Sequence, residues 1–541
     1  LKNDLLKALP DHLNSGVCLL DSSLRVCFWN SWLEQYSGRP AGEVLGCCLT
    51  DLFPQLDRNI YRSYFQLALE NNRSMFCSGA LHPAFITPAG NQARKQNMQI
   101  EPLEVEGRPH VLLQIFDITN QHQRVQMLRK EISKRVQIEQ ALQEEMENAR
   151  VLHERSLSQN LPQVEGISFA AHYQPAARMG GDFYDLKRTG NNLVLYLSDV
   201  TGHGLDGAML SVFVKNTINC FISLKPSQQI TPDNILHFLA EQYFKENYPE
   251  DYFICILIAV LNLETMQLDY TGAGFQDAIQ VQMGSGKRAE LKSRGLPITS
   301  TVPLELLDAG VDSIALTPGT TVLFNTDGLT EQRPGFPAPK RGQKTRKRAE
   351  TQYETRLHRT FYAHSHLPPE AIIHAINKDF YRFNNGSLQG DDDITLGVLQ
   401  VEPREKQTVQ LELDSDLDQL EYLRQQVHPF LDSFPGGELL MAAVHELAAN
   451  AIEHGNGCVP EKKVQIHLER SDTYLYVVVE DEGEGFNWWE RIESNLDLES
   501  SSERGRGISM TQLFADMIFY NQKGNTAYLL KEVDPAVSSA G

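Results

Sequence analysis

The spacing of apolar residues changes along the chain, and each change of period marks a change of element. Near the start, Gly16-Val-Cys-Leu-Leu-Asp21 and Leu24-Arg-Val-Cys-Phe-Trp29 are short apolar runs with polar Ser22-Ser23 between them, which predicts a β-hairpin. A helix-like stretch follows, and Val111-Leu-Leu-Gln-Ile-Phe-Asp117 closes the segment as a further strand. From His110 to Leu161 there is neither Gly nor Pro, and from Asn120 strong helix formers dominate. One long helix is therefore expected, ended by Pro162. Within it Leu128, Ile132, Leu142, Met146 and Ala149 share one heptad phase, with Arg135 and Glu139 in the same phase between them. The pattern suits a parallel dimeric coiled coil with a polar middle heptad; a monomeric helix packed on its own domains satisfies it too. Residues 163–401 read as many apolar strands separated by turn residues, with helical stretches near 205–222, 232–246 and 369–384. An acidic, helix-rich segment runs from about Gln407 to Asp534, and no internal repeat is present.

Composition narrows the class. At 541 residues the chain suggests about three or four domains, and 41% apolar residues are enough for ordinary cores. Lys plus Arg is 49 and Asp plus Glu is 70, a formal charge of −21. That sign repels phosphate backbones and anionic lipid, so no nucleic acid and no membrane are expected as partners. The longest apolar run, Phe253 to Leu261, is far short of the ~20 residues needed to span a bilayer. The chain opens on Leu1 without a signal-peptide pattern, as a fragment of a longer protein would. Eight cysteines include no CxxC pair, which suits a reducing compartment, so a cytoplasmic protein is expected.

Four short motifs place Asp at strand ends or turns: Gly180-Gly-Asp-Phe-Tyr-Asp185, Ser198-Asp-Val-Thr-Gly-His-Gly204, Asn325-Thr-Asp-Gly328 and Gly390-Asp-Asp-Asp-Ile-Thr395. Each alone is an ordinary turn. Gathered carboxylates repel one another unless cations sit between them, and hard oxygen ligands suit Mg²⁺ or Mn²⁺ rather than Zn²⁺. Two such ions can clamp a phosphate ester and supply hydroxide for in-line attack. In this order and spacing the motifs resemble the SpoIIE/RsbU branch of the PPM-type metal-dependent serine/threonine phosphatases, over some 250 residues. The upstream Ala149-Arg-Val-Leu-His-Glu-Arg-Ser-Leu-Ser-Gln-Asn-Leu-Pro162 is similar to that family's helical lead-in, with His153 where Gln is usual. The resemblance implies Asp182, Asp199, Asp327 and Asp392 as catalytic, metal-ligating carboxylates, joined by the main-chain carbonyl of Val200. It leaves Asp185 and Asp393 as structural neighbours, and His203 as a hydrogen-bonding turn residue or a proton donor. Lys340 to Arg348 holds six basic residues in nine, which reads as a solvated loop or a docking surface for an acidic phosphoprotein.

Further on, a helical pattern from Gly437 to His454 carries Glu446, Asn450 and His454 at spacing of four, on one face. Strands Lys463–Leu468 and Tyr474–Glu480 follow, the second ending in Asp481-Glu-Gly-Glu-Gly485, and Arg504-Gly-Arg-Gly507 opens a helix at Ile508. Glycines at a helix start expose N–H groups to phosphate oxygens. The order resembles the GHKL ATPase fold, in its compact RsbW-like serine kinase and anti-sigma-factor branch. That resemblance implies ATP with Mg²⁺ as cofactor, Asn450 as the Mg²⁺ ligand and Asp481 as acceptor for the adenine amino group. It makes Gly483, Gly485, Gly505 and Gly507 the pocket and lid, Thr526 an adenine-side contact, and Glu446 the base that activates a hydroxyl. A sensor histidine kinase fits less well, because neither His122 nor His153 has a phosphoacceptor's neighbours.

The first segment, with Phe28-Trp-Asn30, Gly38 to Gly46 and Phe116-Asp-Ile-Thr119, resembles a PAS sensory domain. The expected architecture is multidomain α+β: a PAS α/β sensor over 1–119, a helical coiled-coil linker over 120–162, a PPM-type αββα sandwich over 163–403 and a GHKL α/β sandwich over 407–534. The expected function is a signalling phosphatase acting on a phosphorylated STAS-type anti-sigma-factor antagonist, with a kinase or sigma-factor-binding module on the same pathway. The alternative is a partner-binding regulator in which one module is only a scaffold. Homodimerisation through the linker helix, the PAS domain or both is expected.

Overall fold

The computed structural model describes residues 12–79, 81–82, 84–90, 94–157, 161–177, 179–202, 204–307, 310–333, 352–403, 406–432, 434–489, 511 and 514–533. The chain resolves into two compact units, Leu1–Met146 and Glu147–Gly541.

In the first unit, strands β1 (Gly16–Leu20), β2 (Val26–Trp29), β3 (Met75–Cys77), β4 (Gln96–Val105) and β5 (Arg108–Asp117) form one antiparallel sheet in the order β2-β1-β5-β4-β3. The expected hairpin is present, with Cys18 opposite Trp29. Asn30 starts the next helix by accepting from Leu33 N at 3.1 Å, and it accepts from Val17 N at 3.0 Å, so one buried amide fixes both helix and strand. Helix Asn59–Asn71 lays Tyr61, Phe65 and Ala68 against the sheet. Asp117 then caps the connector helix Thr119–Leu157, accepting from Thr119 N at 2.9 Å. Leu128, Ile132 and Leu142 of the expected heptad seam are 58%, 60% and 55% exposed. The described helix stops at Leu157, short of Pro162.

The second unit is a stack of layers. Strands β7 (Phe183–Thr189), β8 (Asn192–Val200), β9 (Phe253–Asn262), β10 (Gln267–Ala273) and β14 (Asp312–Ala315) make one sheet, with β13 (Ile298–Thr299) paired to β9. Strands β6 (Ile167–Gln174), β11 (Ile279–Gln282), β12 (Arg288–Leu291), β15 (Thr321–Asn325) and β16 (Ile394–Val401) make the second, in the order β12-β11-β15-β16-β6. Leu195, Leu257, Val322, Phe324 and Leu399 fill the space between them. Helices Leu205–Leu224 and Pro232–Glu246 cover the outside of the first sheet through Val214, Ile218 and Leu239. Helices Glu354–His364 and Pro369–Phe383 cover the second through Phe361, Ile372 and Ile376. This is an αββα sandwich.

Helix Leu205–Leu224 is long and apolar enough by length and composition to cross a membrane, although Asp206 and Lys215 interrupt its apolar run. Half of its apolar window is buried in the fold, where it serves as a core helix.

The stack does not end at the sandwich. Strands β17 (Gln407–Asp414), β18 (Lys463–Arg470), β19 (Tyr474–Asp481), β20 (Met517–Tyr520) and β21 (Thr526–Glu532) form a third sheet in the order β17-β18-β19-β21-β20. One face carries Leu475, Val477, Val479, Ile518 and Leu529 and packs on helices Gln419–Leu431 and Gly437–Asn450. The opposite face carries Tyr474, Tyr476, Phe519 and Leu530, and these join the helix pair of the sandwich in one core. The layers therefore run α-β-β-α-β-α, with helix Pro369–Phe383 buried between two sheets. Such a helix must be apolar nearly all round; Ala371, Ile372, Ile373, His374, Ala375, Ile376 and Phe380 are all buried. A second tie is ionic: Lys406 Nζ lies 2.8 Å from both Glu402 and Glu469, and Tyr474 Oη donates to Glu469 at 2.6 Å.

Candidate functional site

The αββα sandwich brings its predicted carboxylates to one end. Strand β8 runs into Asp199 and Val200, β15 delivers Asp327 one turn later, and Asp392 and Asp393 precede β16. Asp199, Val200, Asp327, Asp392 and Asp393 line a cavity of about 470 Å³, together with Asp277, Cys255 and Thr326. Gly328 permits the approach of the two loops, since a Cβ there would sit 2.1 Å from the carbonyl oxygen of Asp393.

Asp393 and Asp185 brace the structure around this cavity. Asp393 accepts from the main-chain N–H of Ala176 at 2.8 Å and of Gly181 at 2.7 Å, so it ties the turn before β7 to the turn before β16. Asp185 accepts from Tyr196 Oη at 3.0 Å and is buried. Asp182, expected as a ligand, is not among the lining residues. Its Oδ2 accepts from Thr326 Oγ1 at 2.7 Å and Thr395 Oγ1 at 2.9 Å, and its carboxyl lies close enough to that of Asp199 to feel its charge. His203 and the basic run 340–348 lie outside the described residues.

Electrostatically the site is short of positive charge. Burial, then repulsion from Asp327 and Asp392, pushes the Asp199 carboxyl up to about 7. Burial and the nearby Asp199 raise Asp182 well above the usual carboxylate range, and burial with Asp392 raises Asp327. No Lys or Arg is among the described lining residues, so an external cation is the natural counter-charge. Among the described residues no group of three His, Cys, Asp or Glu side chains is drawn together tightly enough to hold an ion by itself. The donor set still fits Mg²⁺ or Mn²⁺, because Mg²⁺ keeps several waters and takes one or two carboxylates at a site.

Asp277 went unnoticed in the sequence. It accepts from Asn325 Nδ2 at 2.6 Å and Thr330 Oγ1 at 2.7 Å, bracing both ends of the turn that carries Asp327. Burial raises its carboxyl to about 6. The signal was Gly272-Ala-Gly-Phe-Gln-Asp277, an acidic residue just past a strand and a glycine at φ +67°.

The third sheet carries the nucleotide motifs. Glu446 and Asn450 share a face of helix Gly437–Asn450, with Asn450 Nδ2 donating to Glu446 Oε1 at 3.4 Å. The helix widens into a π-type turn over Ala451–Gly455, a distortion frequent at functional sites. Asp481 ends β19, and its Oδ1 accepts from Gly483 N at 2.8 Å. A Cβ on Gly483 would sit 2.3 Å from the carbonyl oxygen of Gly455, so the two backbones form a cradle that admits only glycine. Asn525 Nδ2 donates to the Asp481 carbonyl at 2.8 Å, and Thr526 Oγ1 accepts from Asn521 Nδ2 at 2.9 Å. Asp481, Gly483, Gly485 and Thr526 thus form one connected rim. Glu446 lines a different cavity, of about 470 Å³, with Arg424, Met441 and His445, which neither Asn450 nor Asp481 reaches. Gly505 and Gly507 lie outside the described residues.

Comparison with known proteins matches this division. Residues 11–123 fit the family described as PAS fold, residues 189–402 that of Stage II sporulation protein E (SpoIIE), and residues 413–531 that of the histidine kinase-like ATPase domain. The chain carries PAS, SpoIIE and histidine-kinase-like ATPase domains, in that order.

Among curated relatives, phosphoserine phosphatase RsbU of Bacillus subtilis is 24% identical over 198 residues, 36% of this chain and 56% of the relative. Protein IcfG of Synechocystis sp. is 24% identical over 277 residues, 47% of this chain and 41% of the relative. The chain therefore spans about half the length of these relatives. Among solved structures, the RsbU and RsbW domains of Rv1364c from Mycobacterium tuberculosis are 20% identical, with 69% of this chain and 97% of that chain covered at a TM-score of 0.36. The SiaA-PP2C domain of Pseudomonas aeruginosa is 18% identical, with 49% of this chain and 98% of that chain covered at a TM-score of 0.40.

Proposed function

We propose that the protein is a signalling serine/threonine phosphatase that removes phosphate from a regulatory protein partner. The observation that carries this reading is the meeting of Asp199, Asp327 and Asp392 on one cavity whose described lining holds no basic side chain. Asp199, Asp327, Asp392 and the Val200 carbonyl would hold Mn²⁺ or Mg²⁺, which when bound supplies a polarised phosphoryl group and a hydroxide at neutral pH. Asp182, held beside Asp199 by Thr326 and Thr395, would join them as a further ligand. Asp277 holds the Asp327 turn in place, and Asp393 holds the loop bearing Asp392.

The partner is a phosphorylated STAS-type antagonist of an anti-sigma factor, and the ATPase domain rephosphorylates it or captures a sigma factor. ATP with Mg²⁺ would sit on the Asp481–Gly483 cradle, with Asn450 on the metal, Glu446 as base and Thr526 on the adenine side. Asp481 fits that place because its Oδ2 receives no hydrogen bond among the described residues. The connector helix carries the sensor's state toward the cavity and pairs with that of a second copy through Leu128, Ile132 and Leu142, which are exposed. All eight cysteines are free, in keeping with a cytoplasmic setting.

A binding protein is the second reading, and one observation favours it: Glu446 lines a cavity that Asp481 does not. One assay separates the two. Native protein and Asp199→Asn are incubated with a phosphorylated STAS partner and Mn²⁺. Hydrolysis by the native protein alone is expected; none, or equal hydrolysis by the variant, defeats the enzyme reading. With ATP and unphosphorylated partner, phosphoserine formation that is lost in Glu446→Ala supports the kinase, and its absence leaves only binding.

A further inference from the structure

We propose that the loop after the nucleotide motif clasps the phosphatase, so that nucleotide occupancy of the ATPase domain sets the activity of the carboxylate cavity; this rests on the nucleotide reading above. The clasp is Trp488 and Trp489. Trp488 Nε1 donates to the carbonyl of Asn521 at 2.8 Å, and Asn521 holds Thr526 through its side chain. The same loop presses against the β20–β21 turn: a Cβ on Gly524 would lie 2.1 Å from the Phe486 carbonyl oxygen. Any ligand that orders Asp481, Gly485 and Thr526 therefore bears on the two indoles.

Their other side faces the phosphatase. The rings of Trp488 and Trp489 lie 6.0 and 5.9 Å from His374, and Trp489 meets Tyr381 at 5.5 Å. His374 is itself stacked on Phe519 at 4.4 Å. His374 and Tyr381 belong to helix Pro369–Phe383, which leads into the loop bearing Asp392. Asn384, just past that helix, donates to the Gln389 carbonyl at 2.8 Å, and Gln389 Nε2 donates to the Ala176 carbonyl at 2.7 Å. Ala176 is also tied by its N–H to Asp393. Every link from the Asp481 rim to the Asp392 loop is thus a packed ring, a hydrogen bond or one helix.

Coupling needs an element with two arrangements of similar energy. The indole N–H of Trp489 is buried with no acceptor among the described residues, an unmet desolvation cost that makes this contact the weak joint of the chain. A small bias from the nucleotide is enough to shift it.

The test uses the full chain with Trp29→Phe and Trp32→Phe, so that Trp488 and Trp489 are the two indoles left of four. A non-hydrolysable ATP analogue with Mg²⁺ is titrated by tryptophan emission. Amide exchange of residues 384–393 and hydrolysis of p-nitrophenyl phosphate with Mn²⁺ are then measured with and without it. Binding is expected to shift emission, to alter exchange in 384–393 and to change the hydrolysis rate about fivefold or more. Trp489→Ala and Tyr381→Ala should bind the analogue yet lose both responses, while Trp489→Phe keeps them. Binding without any change in exchange or rate overturns the clasp and leaves the nucleotide reading standing. Failure to bind defeats that reading and the clasp with it. Unaltered responses in both alanine variants also overturn the clasp. A changed exchange pattern in a chain inert to the ester keeps the coupling and defeats the phosphatase reading.

Discussion

Acidification should loosen the second unit, and one side chain supplies a share of that loss that can be isolated. His374 is packed against Phe519 and two indoles, and burial, with Lys378 nearby, lowers its imidazole from the ordinary 6.5 to about 3. In the unfolded chain the same imidazole takes a proton near pH 6.5. Between these values the unfolded state binds one more proton, so stability falls as pH falls, by about 1.4 kcal/mol per pH unit. Above pH 6.5 the group contributes no slope. At pH 5.5 the loss is about 1.4 kcal/mol and at pH 5 about 2 kcal/mol, a large share of a typical domain's margin. Glu370, on the same helix, has its carboxyl raised by burial and so shifts stability the other way on acidification. The comparison with His374→Phe removes that term, because Glu370 is common to both proteins and the aromatic stack is retained. Urea unfolding followed by tryptophan emission at pH 7.5, 6.5, 5.5 and 5 gives the two curves. Native and variant should run parallel above pH 6.5 and diverge below it. Parallel lines throughout would refute the reasoning.

Lys406→Met leaves Glu469 buried opposite a neutral residue. Burial favours the protonated acid there, yet hydrogen bonds from His467, Lys406 and Tyr474 hold the carboxyl down to about 2, so its contribution is full above its ordinary 4.5 and lost toward 2. The variant should lose about 3 kcal/mol at neutral pH, read by urea unfolding, and much less at pH 3. Gly483→Ala forces a Cβ against the Gly455 carbonyl and should abolish nucleotide binding by calorimetry while ester hydrolysis without nucleotide persists. Inserting four residues between Val136 and Glu145 breaks the heptad phase, and signal-dependent phosphatase activity should disappear; unchanged dependence would remove the connector from the signalling route.

Much of the fold was legible because local pattern and tertiary role agree. The hairpin at Gly16–Trp29, the helices at 205–224, 232–246 and 369–383, and the strands that lead to Asp199 and Asp327 all lie where periodicity and turn residues put them. The carboxylates were legible as turn residues after apolar strands. How each is anchored was not: Asp182 and Asp199 look equivalent in sequence, yet Asp182 alone accepts from Thr326 and Thr395, residues far along the chain. Asp277 was hidden for the same reason, since its partners are 48 and 53 residues away. The third-sheet interface was also unread. Strand Tyr474–Asp481 carries apolar or aromatic residues on both faces, a pattern equally usual in any buried strand. The helix Pro369–Phe383 gave the better hint, being apolar around most of its circumference, but nothing local names the second surface it meets.

That shared helix has a bearing on how such a chain is divided. The natural cut by sequence falls near residues 404–406, between β16 and β17. Made there, it would bare Tyr476, Phe519 and Leu530 on one fragment and Ile373 and His374 on the other, an adhesive patch on each. Fragments produced this way should self-associate or misfold at concentrations where the intact pair stays monodisperse.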